Sequence, residues 1–251
     1  MNIRFDGRLV VVTGAGHGLG RVIAQSFSAL GAKVYGGDRS AENLKVTASA
    51  GGITGAVVDL TDRVAAAAWI ADIEQKEGRA VFVLVNNAGG VAGQKMRPIE
   101  QVSDDDWDRI IAVNVGAAMA VSRAAIPAMK AAGEGRIINI SSGAGLQASL
   151  TGIQAYATAK HAVVGLTRQL AHELGAFNIT VNSVAPGFIR SNPDTEVQWD
   201  GYGTDGQKAL ISRIALKRLG SSQDIANGVI FFASDLASFV SGQILSVDGG
   251  R

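Results

Sequence analysis

The sequence predicts an α/β fold in which helices cover both faces of a single doubly wound parallel β-sheet. Short runs rich in β-branched residues alternate with longer alanine-rich segments along the chain. These runs are continuously apolar, which suits strands that are buried on both faces of a parallel sheet. The first run leads directly into a glycine-rich turn and a helical segment, and this order builds right-handed βαβ crossovers.

The alternation predicts seven strands and six helices in turn. The strands are expected at residues 9–14, 33–37, 53–59, 80–86, 136–141, 179–184 and 243–249. The helices are expected at residues 18–30, 41–49, 62–77, 104–131, 155–176 and 222–237. Thr61 with Asp62, and Ser103 before an acidic triplet, are capping signals at two helix starts. Ligands of such sheets bind beyond the carboxyl ends of the strands, so functional residues are expected there.

Composition indicates one packed domain over residues 1–251. The chain is 47% hydrophobic, which excludes a disordered protein, and its 32 glycines with only 4 prolines exclude collagen. A net charge of +1 without a basic patch argues against nucleic acid or an anionic membrane as partner. There is no cysteine for thiol chemistry, no signal peptide and no apolar run of about 20 residues. A cytoplasmic protein is therefore expected.

Four glycines occupy alternate positions between the first strand and the first helix. Gly14, Gly16, Gly18 and Gly20 lie within TGAGHGLG and give the spacing G-x-x-x-G-x-G. Without Cβ atoms, such residues permit a tight turn and let a pyrophosphate approach the backbone at a helix N-terminus. The alternative is an ordinary βα turn, which four glycines in seven residues disfavour.

Asp38 ends the second predicted strand, 24 residues after Gly14. A carboxylate there accepts hydrogen bonds from an adenosine ribose and repels a 2′-phosphate, which favours NAD over NADP. Arg39 follows directly and is able to accommodate that phosphate, so NADP stays open as the less favoured cofactor. A solvated Asp–Arg pair in a turn is the alternative without a function.

Tyr156 and Lys160 are four residues apart in a predicted helix and therefore share one face. A phenol has an unperturbed pKa near 10, and a neighbouring ammonium lowers it, which makes the pair a candidate general acid/base. Taken alone, the spacing is more typical of a surface pair. The segment SSGAG at 141–145 strengthens the catalytic interpretation, because its hydroxyls end the preceding strand at the same edge of the sheet.

The long polar stretch 186–207 is predicted to be irregular and to form a lid, which we place at about 188–215. A disordered insertion is the alternative. No metal site is predicted, because the chain lacks cysteine and His17, His161 and His172 are scattered. The acidic run 104–106 is expected to be a solvated helix start rather than a cation site.

A set of motifs occurs in one order along nearly the whole chain. The set comprises TGAGHGLG (13–20), Asp38, Asp59-Leu60, NNAG (86–89), Asn114, ISS (140–142), Tyr156 with Lys160, PGFIRS (186–191) and VDGG (247–250). In this order the sequence resembles the short-chain dehydrogenase/reductases, from residue 7 to residue 250. The resemblance implies a Rossmann-like fold, a nicotinamide cofactor and a homotetramer; the apolar helices 104–131 and 155–176 also suit burial between subunits.

The resemblance implies roles for individual residues. Tyr156 would exchange a proton with the substrate oxygen, Lys160 would lower its pKa and bind the nicotinamide ribose, and Ser142 would hold the substrate oxygen. Asn114 would kink its helix and support a proton relay. The implied cofactor-binding residues are Gly14, His17, Gly18, Leu19, Asp38, Asp59, Leu60, Asn86, Ala88, Tyr156, Lys160, Pro186, Gly187, Ile189 and Ser191.

The chain departs from the family pattern between the serines and the tyrosine. Ser142 precedes Tyr156 by 14 residues, where the family usually has 13, which leaves Ser141 as the alternative. Ser142 is preferred because Gly145 then falls where the motif expects it. Ser191 stands where threonine is common and keeps the hydroxyl.

The resulting hypothesis is an NAD(P)-dependent oxidoreductase that interconverts a secondary alcohol and a carbonyl compound. The polar lid, with Gln147 and Arg190 nearby, favours a sugar or a sugar acid as substrate. Ser142, Gln154, Tyr156 and Trp199 are the candidate substrate-binding residues. The alternative enzyme is a 3-oxoacyl thioester reductase. The alternative of another class is a non-catalytic dinucleotide-binding scaffold, which the intact Ser142, Tyr156 and Lys160 disfavour.

Overall fold

Seven parallel strands form one sheet in the computed structural model, which describes residues 3–251. The strands are β1 (Leu9–Thr13), β2 (Lys33–Asp38), β3 (Ile53–Val57), β4 (Val83–Asn86), β5 (Gly135–Ile140), β6 (Ile179–Pro186) and β7 (Ile244–Val247). Their order across the sheet is β3-β2-β1-β4-β5-β6-β7. The strand order reverses between β1 and β4, which is the point where ligands bind in doubly wound sheets. The predicted fold class is confirmed.

Nine α-helices lie within the described residues. They are α1 (Gly18–Ala29), α2 (Ala41–Ala48), α3 (Arg63–Glu77), α4 (Asp104–Ile111), α5 (Ala117–Ala132), α6 (Gln154–Leu174), α7 (Pro193–Gly201), α8 (Gly203–Ser212) and α9 (Ser222–Ala233). The expected helix 104–131 is divided by a π-helical turn at Ala112–Gly116.

Each face of the sheet has its own apolar layer. One layer contains Phe27 of α1, Leu44 of α2 and Ile225 of α9. The other contains Ile70 of α3 and Met129 of α5, together with residues of α6. The central strands β1, β4, β5 and β6 are completely buried, as their continuous apolar runs predict. The edge strands β3 and β7 are partly exposed.

The stretch 186–207 is not irregular, which corrects one expectation. The end of β6 occupies its first residue, and α7 and the first half of α8 occupy almost all of it from residue 193 onward. Asn192 and Thr195 form a reciprocal capping box, and Pro193 takes the first helical position, where its missing N–H has no cost. The local sequence N-P-D-T is therefore a helix start signal that the polar composition obscured.

The stretch Asp104–Ala132 is long and apolar enough to cross a membrane, by length and composition only. The sequence analysis expected no such stretch, because the chain has no continuous apolar run of about 20 residues. An 18-residue window of Asp104–Ala132 has a mean hydropathy of 1.6, and 44% of that window is buried inside the fold. α5 packs against α3 and β4, and Val121 and Met129 are fully buried. This is the packing of a core helix.

Candidate active site

The glycine-rich turn leaves the carboxyl end of β1 and opens α1. Gly14 and Gly18 have φ angles of +65° and +57°, which side chains rarely adopt, and a Cβ on Gly14 would lie 3.0 Å from the Cα of Ala88. Five other helices (α2, α3, α4, α7 and α9) start with a capping side chain. Among the described residues, none caps α1, and its first turn has no acidic residue. Its N–H groups are thus left for an anion.

Asp38 lies at the end of β2, beside this turn. Its two carboxylate oxygens accept hydrogen bonds from the backbone N–H groups of Gly16 (2.9 Å) and Ser40 (3.0 Å). The predicted ribose-binding residue therefore also holds the middle of the glycine-rich turn in place.

The predicted adenine-side residues follow β3. The carboxylate of Asp59 accepts hydrogen bonds from the N–H and hydroxyl of Thr61, and these bonds lower its pKa. Leu60 is 6% exposed. Asn86 ends β4, but its amide donates inward to Ser122 and Asn139, so its side chain belongs to the buried polar network of the sheet.

Ser142, Tyr156 and Lys160 come together at the carboxyl edge of β5. The backbone N–H of Ala144 donates to the Ser142 hydroxyl (3.1 Å), and this hydroxyl also interacts with the phenol of Tyr156. Ser141 is turned away, because its hydroxyl donates to the carbonyl oxygen of Lys160 at 3.0 Å. This geometry favours Ser142 over Ser141 as the residue that meets a substrate.

Burial is the largest influence on the pKa of Tyr156 and on the pKa of Lys160. It raises the pKa of Tyr156 above 10.0, and the interaction with Ser142 opposes the rise. It lowers the pKa of Lys160 from 10.5 to about 8. Burial thus sets the net direction of the Tyr156 shift, and the lowering of its pKa by Lys160 stays a prediction. The Nζ of Lys160 donates to the carbonyl oxygen of Ile140 (2.9 Å) and lies 5.7 Å from the tyrosine ring centroid.

Asn114 lies at the centre of the π-helical turn between α4 and α5. Its side-chain amide donates to the carbonyl oxygens of Gly90 (2.8 Å) and Ile110 (2.9 Å) and accepts from the N–H of Gly90 (3.0 Å). A Cβ on Gly89 would lie 3.4 Å from the Nζ of Lys160, which places this loop beside the lysine. Such turns often occur at functional sites.

The segment after β6 closes the site from the other side. Gly187 packs so closely on Asp248 that a Cβ would lie 2.9 Å from the Asp248 Cβ. Ser191 lies at the start of the lid, and its carbonyl oxygen is 3.2 Å from the Cβ position of Gly18. The lid therefore begins directly against the glycine-rich turn.

Two predicted substrate-binding residues have other contacts. Gln154 donates from its amide to the carbonyl oxygen of Arg97 (3.0 Å) and so joins the loops after β4 and β5. Trp199 is 9% exposed, and its ring stacks on Phe188 with centroids 6.0 Å apart. The contact of both residues with a substrate stays a prediction.

The residues present fit a nicotinamide dinucleotide. A cavity of about 310 Å³ separates the glycine-rich turn from α7 and is lined by His17, Asn43, Asn192, Pro193 and Asp194. The uncapped start of α1 supplies N–H donors for its phosphates, and Asp38 is placed for a ribose. Within residues 3–251, no three His, Asp or Glu side chains group as metal ligands would.

Two positioning residues escaped the sequence analysis. The Thr13 hydroxyl accepts from the N–H groups of Asn87 and Ala88, both at 2.9 Å, and the Asn87 amide donates to the carbonyl oxygens of Thr13 and Gly14. These bonds join β1 to the loop after β4. The signal was present, since Thr13 and Asn87 lie within the motifs TGAGHGLG and NNAG.

Known proteins match the chain over almost its full length. A family model described as enoyl-(acyl carrier protein) reductase matches residues 14–251. The 3-oxoacyl-(acyl-carrier-protein) reductase FabG of Thermotoga maritima is 36% identical over 253 residues, with 99% of each chain covered. The meso-2,3-butanediol dehydrogenase of Serratia marcescens is 37% identical over 252 residues, covering 99% of this chain and 96% of that protein.

A solved structure supports the same assignment. It is described as a candidate NAD(P)-dependent gluconate 5-dehydrogenase from Beutenbergia cavernae with NADP bound at low occupancy. It superposes with a TM-score of 0.89 at 38% identity and covers 99% of this chain and 98% of its own. These matches bear out the resemblance found in the sequence and replace the scaffold alternative: the chain belongs to the short-chain dehydrogenase/reductase family and is an oxidoreductase that uses a nicotinamide dinucleotide to act on CH–OH and carbonyl groups.

Proposed function

We propose that this enzyme interconverts a secondary alcohol and a ketone with NAD, on a polar substrate of the sugar or sugar-acid type. The observation that supports the reaction is the convergence of Ser142, Tyr156 and Lys160 at the carboxyl edge of β5, the edge from which the uncapped α1 also starts. A proton donor and a hydrogen-bond donor thus lie together where the fold places its ligands.

Tyr156 is the acid in the reductive direction. Its raised pKa keeps the phenol protonated at neutral pH, so it is ready to donate a proton to the developing alkoxide. The Ser142 hydroxyl donates a hydrogen bond to the same oxygen and stabilises its charge. The bound nicotinamide supplies the hydride that reaches the carbonyl carbon, or receives it in the oxidative direction.

Lys160 stabilises the phenolate that Tyr156 becomes. It is 4% exposed, and with a pKa of about 8 it is mostly charged at pH 7. A buried ammonium near a phenolate acts through a low local dielectric, which strengthens its effect. Asn114 fixes the loop at Gly90, on the other side of Lys160, and so keeps the lysine in place.

Asp38 is the reason for proposing NAD rather than NADP. Its carboxylate lies where the adenosine ribose is expected, and a 2′-phosphate there would meet a negative charge. Arg39 is the competing residue. Comparing kcat/KM for NADH and NADPH tests the proposal, and a preference for NADPH contradicts it.

Polar side chains on the lid support the sugar-type substrate. The Gln198 amide donates to the hydroxyl of Tyr202 (2.6 Å), and Gln207 donates to the carbonyl oxygen of Trp199 (2.9 Å). Arg190 starts the lid beside Ser191. The structural similarity to a candidate gluconate 5-dehydrogenase points to the same class of substrate.

One observation favours a 3-oxoacyl thioester reductase as the second candidate. Large apolar side chains are exposed on the three segments that follow the neighbouring strands β4, β5 and β6. They are Met96, Ile99, Leu146, Leu150 and Val197. An acyl chain would cover such a surface, and several relatives are 3-oxoacyl-(acyl-carrier-protein) reductases.

A substrate panel separates the two candidates. Sugars, sugar acids and acetoacetyl thioesters are assayed with NADH and NADPH in the reductive direction, and with NAD and NADP in the oxidative direction. The proposal expects the highest kcat/KM for a hydroxylated ketone or its alcohol with the NAD couple. If only the thioester reacts, and only with NADPH, both the substrate and the cofactor proposals are wrong.

We further propose that the chain is one cytoplasmic domain that assembles as a homotetramer. Phe239 is fully exposed, and Leu236 and Leu245 are exposed near it, beside the edge strand β7. An apolar surface of this kind is typical of a subunit contact. Light scattering after gel filtration is expected to give four times the chain mass of 25.8 kDa.

A further inference from the structure

The first four carbonyl groups of the glycine-rich turn, at residues 13–16, accept hydrogen bonds from side chains. The carbonyl oxygens of Thr13 and Gly14 accept from the Asn87 amide at 3.0 and 3.2 Å. The carbonyl oxygens of the next two residues, Ala15 and Gly16, accept hydrogen bonds from side chains of α1 and α2. This matters because a carbonyl oxygen carries partial negative charge, so a turn that binds phosphate must present its N–H groups and turn its carbonyls away.

Thr47 is the donor from α2. It is fully buried, and its hydroxyl lies 2.8 Å from the carbonyl oxygen of Ala15 and 3.3 Å from that of Gly16. Thr47 also accepts from the Nε of Arg21 at 3.1 Å. One hydroxyl therefore joins the turn, α2 and α1.

Arg21 is the donor from α1. Its Nη2 donates to the carbonyl oxygen of Gly16 (2.5 Å), and its Nε lies 3.1 Å from the same oxygen. Nη2 also approaches the carbonyl oxygen of Asn43 in α2 at 3.4 Å. Among the ion pairs of the described residues 3–251, none involves Arg21, so its charge is balanced by backbone oxygens. This leaves positive potential directly behind the phosphate-binding turn.

We propose that Arg21 and Thr47 form a clamp on the adjacent carbonyl groups of Ala15 and Gly16 and act as positioning residues for the pyrophosphate of the dinucleotide. The clamp, Arg21 with Thr47, works on the opposite side of Gly16 from Asp38, which holds the Gly16 N–H. Both polar groups of this residue are therefore held by side chains of other residues. Because the turn is already ordered before the pyrophosphate binds, binding carries a smaller cost in conformational entropy.

The clamp is tested by removing each donor with little change of shape. Thr47→Val keeps the buried volume and deletes the hydroxyl, and Arg21→Gln deletes the charge. We expect Thr47→Val to weaken NADH and ADP binding about tenfold, the effect of losing one hydrogen bond of ordinary strength, and Arg21→Gln to weaken it more. Calorimetry measures both ligands, and the kcat at saturating NADH is expected to stay within about twofold of wild type.

The affinity for adenosine distinguishes loss of the clamp from general damage to the cofactor site. Adenosine lacks the pyrophosphate, so its affinity, measured by competition against NADH, is expected to be the same in the variants and in the wild type. Thr47→Ser keeps the hydroxyl and is expected to restore NADH binding. Ser28→Ala is the matched control, because its hydroxyl bonds the carbonyl oxygen of Gly51 at the far end of α1.

Two results overturn the proposal. In one, Thr47→Val and Arg21→Gln bind NADH like the wild type. In the other, adenosine and ADP lose affinity to the same extent, which shows that the adenosine site itself is lost. Arg21 is only partly buried, so Arg21→Gln is expected to fold even if Thr47→Val does not. The binding assays contain no substrate, so the result is independent of the proposed sugar-type substrate.

Discussion

Two parts of the protein are stabilised by different kinds of contact. One is the catalytic edge, by which we mean the carboxyl ends of the strands with the glycine-rich turn and the Ser142–Tyr156–Lys160 cluster, and the other is the lid at about 188–215. At the edge, Thr13, Thr47 and Lys160 are buried and each makes hydrogen bonds to backbone atoms from other elements. In the lid, the ion pair of Arg190 with Glu196 is exposed and joins residues only six apart. The edge is thus part of the core, whereas the lid is held largely by its own side chains.

The lid is joined to the rest of the fold by few backbone contacts. Ile189 forms an isolated bridge with Gly220, and the lid's side-chain hydrogen bonds run between its own residues, such as Gln198 to Tyr202 and Gln207 to Trp199. Segments with few contacts to the core open at lower free energy than the core itself. We therefore expect cofactor binding and proton transfer to depend on rigid elements, and substrate selection to depend on a segment with fewer contacts to the core.

Replacing Tyr156 by Phe tests the catalytic edge with the largest expected effect. The variant loses the proton donor but keeps the ring, so we expect kcat to fall about a thousandfold while the Kd for NADH changes little. Steady-state kinetics and a fluorescence titration with NADH measure the two quantities. Tyr202→Phe removes a phenol from the lid and is the matched control. Turnover of Tyr156→Phe within tenfold of wild type contradicts the assignment.

We expect the buried charge of Lys160 to lower the stability of the folded protein while it supports catalysis. Its pKa of about 8 in the folded protein lies below the unfolded value of 10.5, so the unfolded chain binds the proton more tightly. Folding is therefore opposed below pH 8, by on the order of 3 kcal/mol, and this penalty disappears as the pH rises from 8 to 10.5. Lys160→Met is expected to raise Tm by a few degrees at pH 7 and to lower kcat about a hundredfold.

Ketone reduction by the wild type should fall above about pH 8, because Lys160 then loses its charge while the phenol of Tyr156 stays protonated. The kcat of Lys160→Met should lack this step. Lys130→Met, on the surface of α5, is the control for stability. A lower Tm in Lys160→Met shows that the hydrogen bond to Ile140 outweighs the burial of charge.

The sequence predicted the strands and the glycine-rich turn well because the signals there are local. Apolar runs located all seven strands, and the glycine spacing and the Tyr156–Lys160 spacing each fit within one turn or one helix. The clamp residues Arg21 and Thr47 gave no such signal, since their role arises only when α1 and α2 pack together. Nor could the sequence show that Lys160 Nζ bonds Ile140 rather than facing the phenol, because that depends on burial.

The lid was predicted less well because its composition conflicts with its structure. Glycines at 201, 203 and 206 and many polar residues are typical of loops, yet α7 and α8 form there. Gly203 has a φ of +60° and separates the two helices. The apolar residues that stabilise this arrangement, Phe188 and Trp199, are eleven positions apart, too far for a helical pattern to reveal them.

We expect replacement of Phe188 to loosen the packing of the lid without changing the sheet. The Phe188 ring packs on Trp199 and on Tyr202, with centroids 6.0 and 5.7 Å apart. We expect Phe188→Ala to raise the substrate KM about tenfold and to speed proteolytic cleavage within residues 190–210, with no change in the Kd for NADH. Phe177→Ala, at an exposed site outside the lid, is the control. A Tm loss as large as that of a core variant would show that the lid folds with the sheet.

Arg190→Gln should give the smallest effect and sharpens the role of the lid. The guanidinium donates to Glu196 and lies 5.5 Å from the ring centroid of Trp199, so its contacts hold the first turn of the lid together. Because the ion pair is exposed, we expect KM to rise by no more than about threefold, and equally for neutral and acidic substrates. Arg4→Gln, which breaks an exposed pair with Asp6 near the N-terminus, should change neither KM. A tenfold rise in KM for sugar acids alone would show that Arg190 leaves Glu196 to bind the substrate carboxylate, and the lid would then recognise charge directly rather than only enclose the site.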